Sequence, residues 1–140
     1  MEQCIFCRIL RHEAPASLVY EDNQCIAFMD INQPNPYKVL VIPREHIETL
    51  FDLTDAQGEA MMRATLRVAR AIRAVSGCDG LNVFQNNGIT AGQEVLHFHI
   101  HLLPRFASDG TPWRNPRPTS RDELDSMATA LRVALANSDD

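Results

Sequence analysis

His97-Phe98-His99-Ile100-His101-Leu102-Leu103 sets three imidazoles at every second position, with an apolar residue after each. Strict alternation is the period of a β-strand, so the three rings leave one face while Phe98, Ile100 and Leu102 enter a core on the other. The alternation predicts a strand from about Glu94 to Leu103. One metal held by all three rings is disfavoured, because the outer two Cα atoms of such a strand lie about 13 Å apart at roughly 3.3 Å per residue. The rings therefore hold separate jobs. Imidazole works as nucleophile, acid, base or metal ligand near neutral pH, and three of the chain's 5 His gathered on one face mark a chemical platform.

Outward from this strand, the chain alternates apolar runs with turn-forming residues. Ser17 to Tyr20 and Cys25 to Asp30 read as a hairpin around Glu21, Asp22 and Asn23. Asn32 to Pro36 is a loop, and Val39 to Ile42 form a buried strand stopped by Pro43. A helix follows: Thr54 and Gln57 make a capping box, Met61, Val68, Ile72 and Val75 recur at helical spacing, and Gly77 stands at its end. Leu81 to Gln85 suggest another strand, which leads through the loop Asn86 to Gly92 into the His strand. Ser108 to Pro118, with the only Trp at 113, reads as an ordered tail. Ser120 and Glu123 form a second capping box before a last helix striped by Leu124, Met127, Leu131 and Leu135. This order predicts a single α+β domain over residues 1–140, with an antiparallel sheet of about five strands, one long helix and a C-terminal helix.

Composition narrows the function. A chain of 140 residues, 45% hydrophobic, supports one core and not two comfortable domains. Its net charge of -5 and dispersed arginines argue against coating nucleic acid or an anionic membrane, so a nucleotide would be met in a pocket. There is neither a secretory signal nor an apolar run of membrane-spanning length, and the chain reads as cytoplasmic. In that compartment Cys4-x-x-Cys7 reads as a metal or redox site in preference to a disulfide. The Asn86 to Gly92 loop has glycines that let backbone N–H groups approach a phosphate, but no Gly-x-x-x-x-Gly-Lys-Ser/Thr and no carboxylate cluster suited to Mg²⁺.

The chain resembles the histidine triad (HIT) family of nucleotide-binding proteins, in particular its bacterial zinc-containing branch. The resemblance is carried by Cys4-Ile5-Phe6-Cys7-Arg8-Ile9, Ala27-Phe28-Met29-Asp30-Ile31, Leu40-Val41-Ile42-Pro43-Arg44-Glu45-His46, Asn86-Asn87-Gly88, and Gly92 through Arg105. It implies a HIT-like α+β fold, a homodimer, and binding of a purine nucleotide with hydrolysis or transfer at its α-phosphorus. By position, it implies His99 as nucleophile and His101 at the phosphate and departing group. It also implies Asn86 and the backbone of Gln93, Glu94 and Val95 at the α-phosphate oxygens, Asp30 at the ribose, and Ile5, Phe6 and Phe28 around the base. Two positions depart from the pattern. Many relatives have Pro-Gly-His or Pro-Thr-His where this chain has Pro36-Tyr37-Lys38, and several carry Ser or Thr where it has Glu94.

Three readings of function follow: a phosphoramidase or nucleotidyl hydrolase, with dinucleoside polyphosphates among its candidate substrates; a zinc-stabilised nucleotide-binding module with little turnover; and a metallohydrolase, which lacks carboxylate partners. Cys4-x-x-Cys7 has the spacing of half a tetrahedral zinc site. Resemblance to the nucleotidyltransferases of galactose metabolism implies His46 and His97 as the other half, and hence a closed structural zinc. The helix from Asp55 to Val75 carries a Met61, Val68 and Ile72 face that exceeds what one small sheet needs, which points to a dimer contact.

Overall fold

The computed structural model describes residues 3–110 and 117–138. Its helices are α1 (Ile5–Leu10), α2 (Asp55–Ser76) and α3 (Arg121–Ala136), and its strands are β1 (Leu18–Glu21), β2 (Cys25–Met29), β3 (Val39–Pro43), β4 (Gly80–Phe84) and β5 (Ile100–Arg105). The strands form one antiparallel sheet in the order β1-β2-β3-β5-β4. The fold is α+β. Trp113 lies outside the described residues, so the expected ordered tail is seen only at its two ends. Among the described residues no helix is long and apolar enough to cross a membrane.

Local chemistry explains each boundary. Asp22 Oδ1 accepts from the amides of Gln24 and Cys25, both at 2.8 Å, which closes the β1–β2 hairpin. Both halves of the Thr54–Gln57 capping box are made, and Gly77 ends α2 at φ 65°, a left-handed conformation that favours glycine. At α3 only half of the expected box forms: Ser120 Oγ accepts from the amide of Glu123 at 3.2 Å.

The central strands β2 and β3 are buried along their whole length, because both faces of the sheet are covered. Ala27, Met29, Val39, Val41, Ile100 and Leu102 pack against α2 and α3. Ile26, Phe28, Leu40 and Ile42 pack on the opposite face with Phe6 of α1. Met61, Val68 and Ile72 of α2 are all within this first core, so the face expected to reach a partner is used inside the monomer. Burial of each such side chain contributes about 1.5–3 kcal/mol. The large apolar residues α2 leaves exposed are Met62 and Leu66.

The His strand starts six residues later than its alternation suggests. At its head the amide of Phe98 donates to Ile47 O at 2.6 Å, and the carbonyl of Pro43 is taken by the His97 ring, so β3 cannot continue the ladder there. The facing survives without the strand. Phe98 still enters the core with Ile100 and Leu102, while the imidazoles turn to the α1 side.

Candidate functional site

Four ligand atoms from three distant parts of the chain converge beside α1. Cys4, Cys7, His46 and His97 each present one, and all lie within 4.8 Å of one another. Cys4 caps α1 and accepts from the amide of Cys7, which turns both sulfurs to the same side. The Phe98–Ile47 hydrogen bond holds the His46 segment against His97, whose rings meet edge to face at 5.0 Å. Sulfur-to-nitrogen distances are 3.5 Å for Cys4–His97, 3.2 Å for Cys7–His46 and 3.7 Å for Cys7–His97. In a tetrahedral zinc site with bonds of about 2.3 Å to sulfur and 2.0–2.1 Å to nitrogen, that edge is about 3.6 Å. The residues fit zinc.

The ring of His97 is oriented for such a site. Its Nε2 donates to Pro43 O at 2.9 Å, which leaves Nδ1 with a lone pair aimed at the cysteines. Burial is the main force pushing His97 down to about 4, so the ring is neutral, as a ligand must be. Four protein ligands leave no open position for water, so the metal this cluster accepts is structural. The short α1 was too brief to show periodicity in the sequence, and it is the element that brings the cysteines and Phe6 to the sheet.

Next along the chain, His99 faces a different space. Its Nδ1 donates to His97 O at 2.7 Å, leaving Nε2 as the ring nitrogen with no protein partner among the described residues. Burial lowers its proton affinity below the ordinary histidine value. A neutral imidazole with a fixed tautomer and a free lone pair results. Phe6 stands edge-on to this ring at 5.1 Å and to His97 at 5.7 Å, which joins the metal cluster to the His99 wall.

His101 is set by the sheet. In the ladder it pairs with Leu40 on β3 and Phe84 on β4, and the Phe84 ring stacks on it at 4.4 Å with planes 6° apart. Lys38 completes its surroundings. This buried lysine forms an ion pair with Asp30 and lies 3.0 Å from His101 Nδ1. Where relatives of the resemblance carry an imidazole, this chain places an ammonium group.

One cavity of about 610 Å³ lies over these residues. It is walled by Ile5, Phe6, Phe28 and Leu40 on its apolar side, and Asp30, Lys38, His99 and His101 supply polar groups. Asn86, Gly92, Glu94 and Val95 close another side. Of the residues the sequence nominates, Gln93, named for its backbone, is not among those lining it. Its side chain is buried and tied into the loop, with Oε1 accepting from Gly88 N and Nε2 donating to Glu48 O, both at 2.7 Å. Sequence reading missed Lys38 as a member of the cavity, although its departure from the family pattern was the available signal.

A HIT domain family model matches residues 11–108. The protein named hit of Bacillus subtilis is 38% identical over 141 residues, covering 98% of this chain and 97% of its own. A zinc-bound histidine triad family protein of Mycobacterium smegmatis superposes with a TM-score of 0.85 at 34% identity, over 96% of this chain and 94% of that one. The adenylylsulfatase HINT3 of Arabidopsis thaliana is 37% identical over 106 residues, which are 76% of this chain and 54% of that protein. The family-model match over most of the chain and the near full-length relatives show that the chain belongs to the histidine triad (HIT) domain family.

Proposed function

We propose that this chain is a nucleotidyl hydrolase or phosphoramidase that acts on a purine nucleotide at the α-phosphorus through a nucleotidyl-histidine on His99. The observation that carries this reading is the fixed tautomer of His99, whose free Nε2 borders the cavity. In the first step the Nε2 lone pair forms a bond to phosphorus, and the bond from phosphorus to the departing group breaks with its electrons going to that group. Water then attacks the same phosphorus, the phosphorus–nitrogen bond breaks, and the nucleotide leaves as its monophosphate while His99 recovers its lone pair. His101 contacts the phosphate and the departing group.

Ile5, Phe6 and Phe28 supply an apolar slot for the base, and Asp30 accepts from the ribose hydroxyls, since an ionised carboxylate can only accept. Asn86 and the backbone of Glu94 and Val95 serve the phosphate oxygens. Zinc held by Cys4, Cys7, His46 and His97 fixes α1, and so the base slot, to the sheet. The relative named an adenylylsulfatase supports chemistry on an adenylyl group.

The test is direct trapping. The protein is mixed, in separate samples, with adenosine 5′-phosphosulfate and adenosine 5′-phosphoramidate and examined by mass spectrometry under conditions that avoid acid. An adenylyl adduct on His99 is expected. Tight AMP binding with no adduct would turn the reading into a binding module, and turnover abolished by chelators with no adduct would turn it into a metallohydrolase.

A further inference from the structure

Lys38 sets its amine against one of the cavity's imidazoles, and the fold invests in holding it there. Gln33, itself buried, accepts from the Lys38 amide at 2.9 Å and donates to the Lys38 carbonyl at 2.8 Å, clamping its backbone on both sides. The preceding Tyr37 is held at φ 72°, a left-handed conformation costly for a non-glycine residue. The ammonium then bridges Asp30 and His101 Nδ1. An ammonium group has donors and no acceptor, so His101 Nδ1 must be the acceptor. The ring's single proton is therefore on Nε2.

We infer that Lys38 locks His101 as a neutral Nε2–H donor that cannot become an imidazolium, and that the site thereby selects nucleotidyl anhydrides over nucleotidyl amides. This rests on the reaction proposed above. A neutral imidazole N–H can stabilise an oxygen that departs with negative charge, but it is a poor source of a whole proton. In a phosphoric–carboxylic or phosphoric–sulfuric anhydride, the phosphorus–oxygen bond breaks and the oxygen keeps the electron pair as a stable anion, so no proton transfer is required. In a phosphoramidate, the phosphorus–nitrogen bond breaks with nitrogen keeping the pair, and the amine must gain a proton as it leaves. The Lys38 charge favours the first event by its field and withholds an acid from the second. The titratable groups around His101 are consistent with this: burial first, then Lys38 and His99, push it down to about 3, and Asp30 is already engaged by Lys38. Glu94 and Arg121 also line the cavity, and neither is hydrogen-bonded to His101.

The experiment compares adenosine 5′-phosphosulfate with adenosine 5′-phosphoramidate on wild-type protein, Lys38→His and Lys38→Met. Because the two compounds differ in intrinsic reactivity, the readout is the change in their ratio of kcat/KM on substitution. The ratio is expected to fall by about tenfold or more in both variants, as His101 gains access to a second proton. An unchanged ratio would overturn the inference. So would a rise, with phosphoramidate turnover the more damaged, which would make Lys38 the source of the leaving amine's proton. A readout on the wild-type protein alone guards against variants that fail to fold: nitrogen NMR should show His101 as one Nε2–H tautomer with no titration between about pH 5 and 8. Titration in that window, or an Nδ1–H tautomer, sinks the lock. An adduct on His99 with an unchanged ratio rejects the inference and keeps the function, whereas no turnover and no adduct with either compound rejects both.

Discussion

His99 donates from Nδ1 to the carbonyl oxygen of His97 across 2.7 Å, so a residue of the metal cluster fixes the tautomer of the proposed nucleophile through its backbone. The two neighbours divide their work by atom. The His97 ring serves the cluster and its carbonyl serves His99, with Phe6 packed against both rings.

Replacing His99 by alanine should remove nearly all turnover and keep AMP binding, because the residues proposed to hold the base, the ribose and the phosphate remain. Steady-state kinetics and calorimetry check the two halves. Retention of more than about a tenth of kcat, a barrier change under about 1.4 kcal/mol, would contradict the assignment.

Protein purified without chelator should carry about one zinc per chain, as four closed protein ligands require. Cys4→Ser combined with Cys7→Ser should abolish metal content and destabilise the fold by more than the usual 0.5–3 kcal/mol, roughly, of a single substitution. Activity should fall as well, since α1 carries Ile5 and Phe6 into the cavity. Metal analysis and thermal melts decide; an unchanged melting temperature in the double variant would leave the cluster without a structural role.

Much of this architecture was readable because its signals are local. The Thr54–Gln57 box, the Gly77 cap and the unbroken apolar run of Val39 to Ile42 name their elements from a few adjacent residues. What escaped depends on distant partners. The strand at the histidines begins only at Ile100 because Ile47 and Pro43 claim the polar groups ahead of it, and neither is near in sequence. The Met61, Val68 and Ile72 stripe was legible as apolar, but its destination was not, since α3 and the sheet supply the cover. At the site, family position nominated ten cavity residues. Lys38 was not among them and lines the cavity, while the side chain of Gln93, a residue nominated for its backbone, turns into the loop.

Gln93→Ala should therefore act on stability before chemistry. It removes a buried amide that pairs Gly88 N–H and Glu48 C=O, leaving both backbone groups without their partner. The expected loss is about 1–3 kcal/mol in denaturant unfolding. A neutral effect would mean the loop holds its shape by the Gly88 and Gly92 conformations alone, which lie at φ 91° and 92°.

The last prediction concerns assembly. Among the described residues β4 is an edge strand, paired only with β5, and it leaves Val83 about half exposed and Phe84 exposed at 38%. An edge with unpaired backbone groups and apolar side chains is a template for another strand unless something covers it. A second copy related by two-fold symmetry, the commonest arrangement for soluble oligomers, would supply that cover. Sedimentation at micromolar concentration should give about twice 15.7 kDa. Val83→Lys should shift the protein to monomer, because a charge on an edge strand opposes pairing. Phe84 links this edge to the cavity by its stack on His101, so the monomeric variant should also turn over substrate more slowly. A wild-type mass of 15.7 kDa would refute the dimer. A dimer indifferent to Val83→Lys would move the contact away from β4, with Met62 and Leu66 of α2 the exposed apolar residues next to be tested.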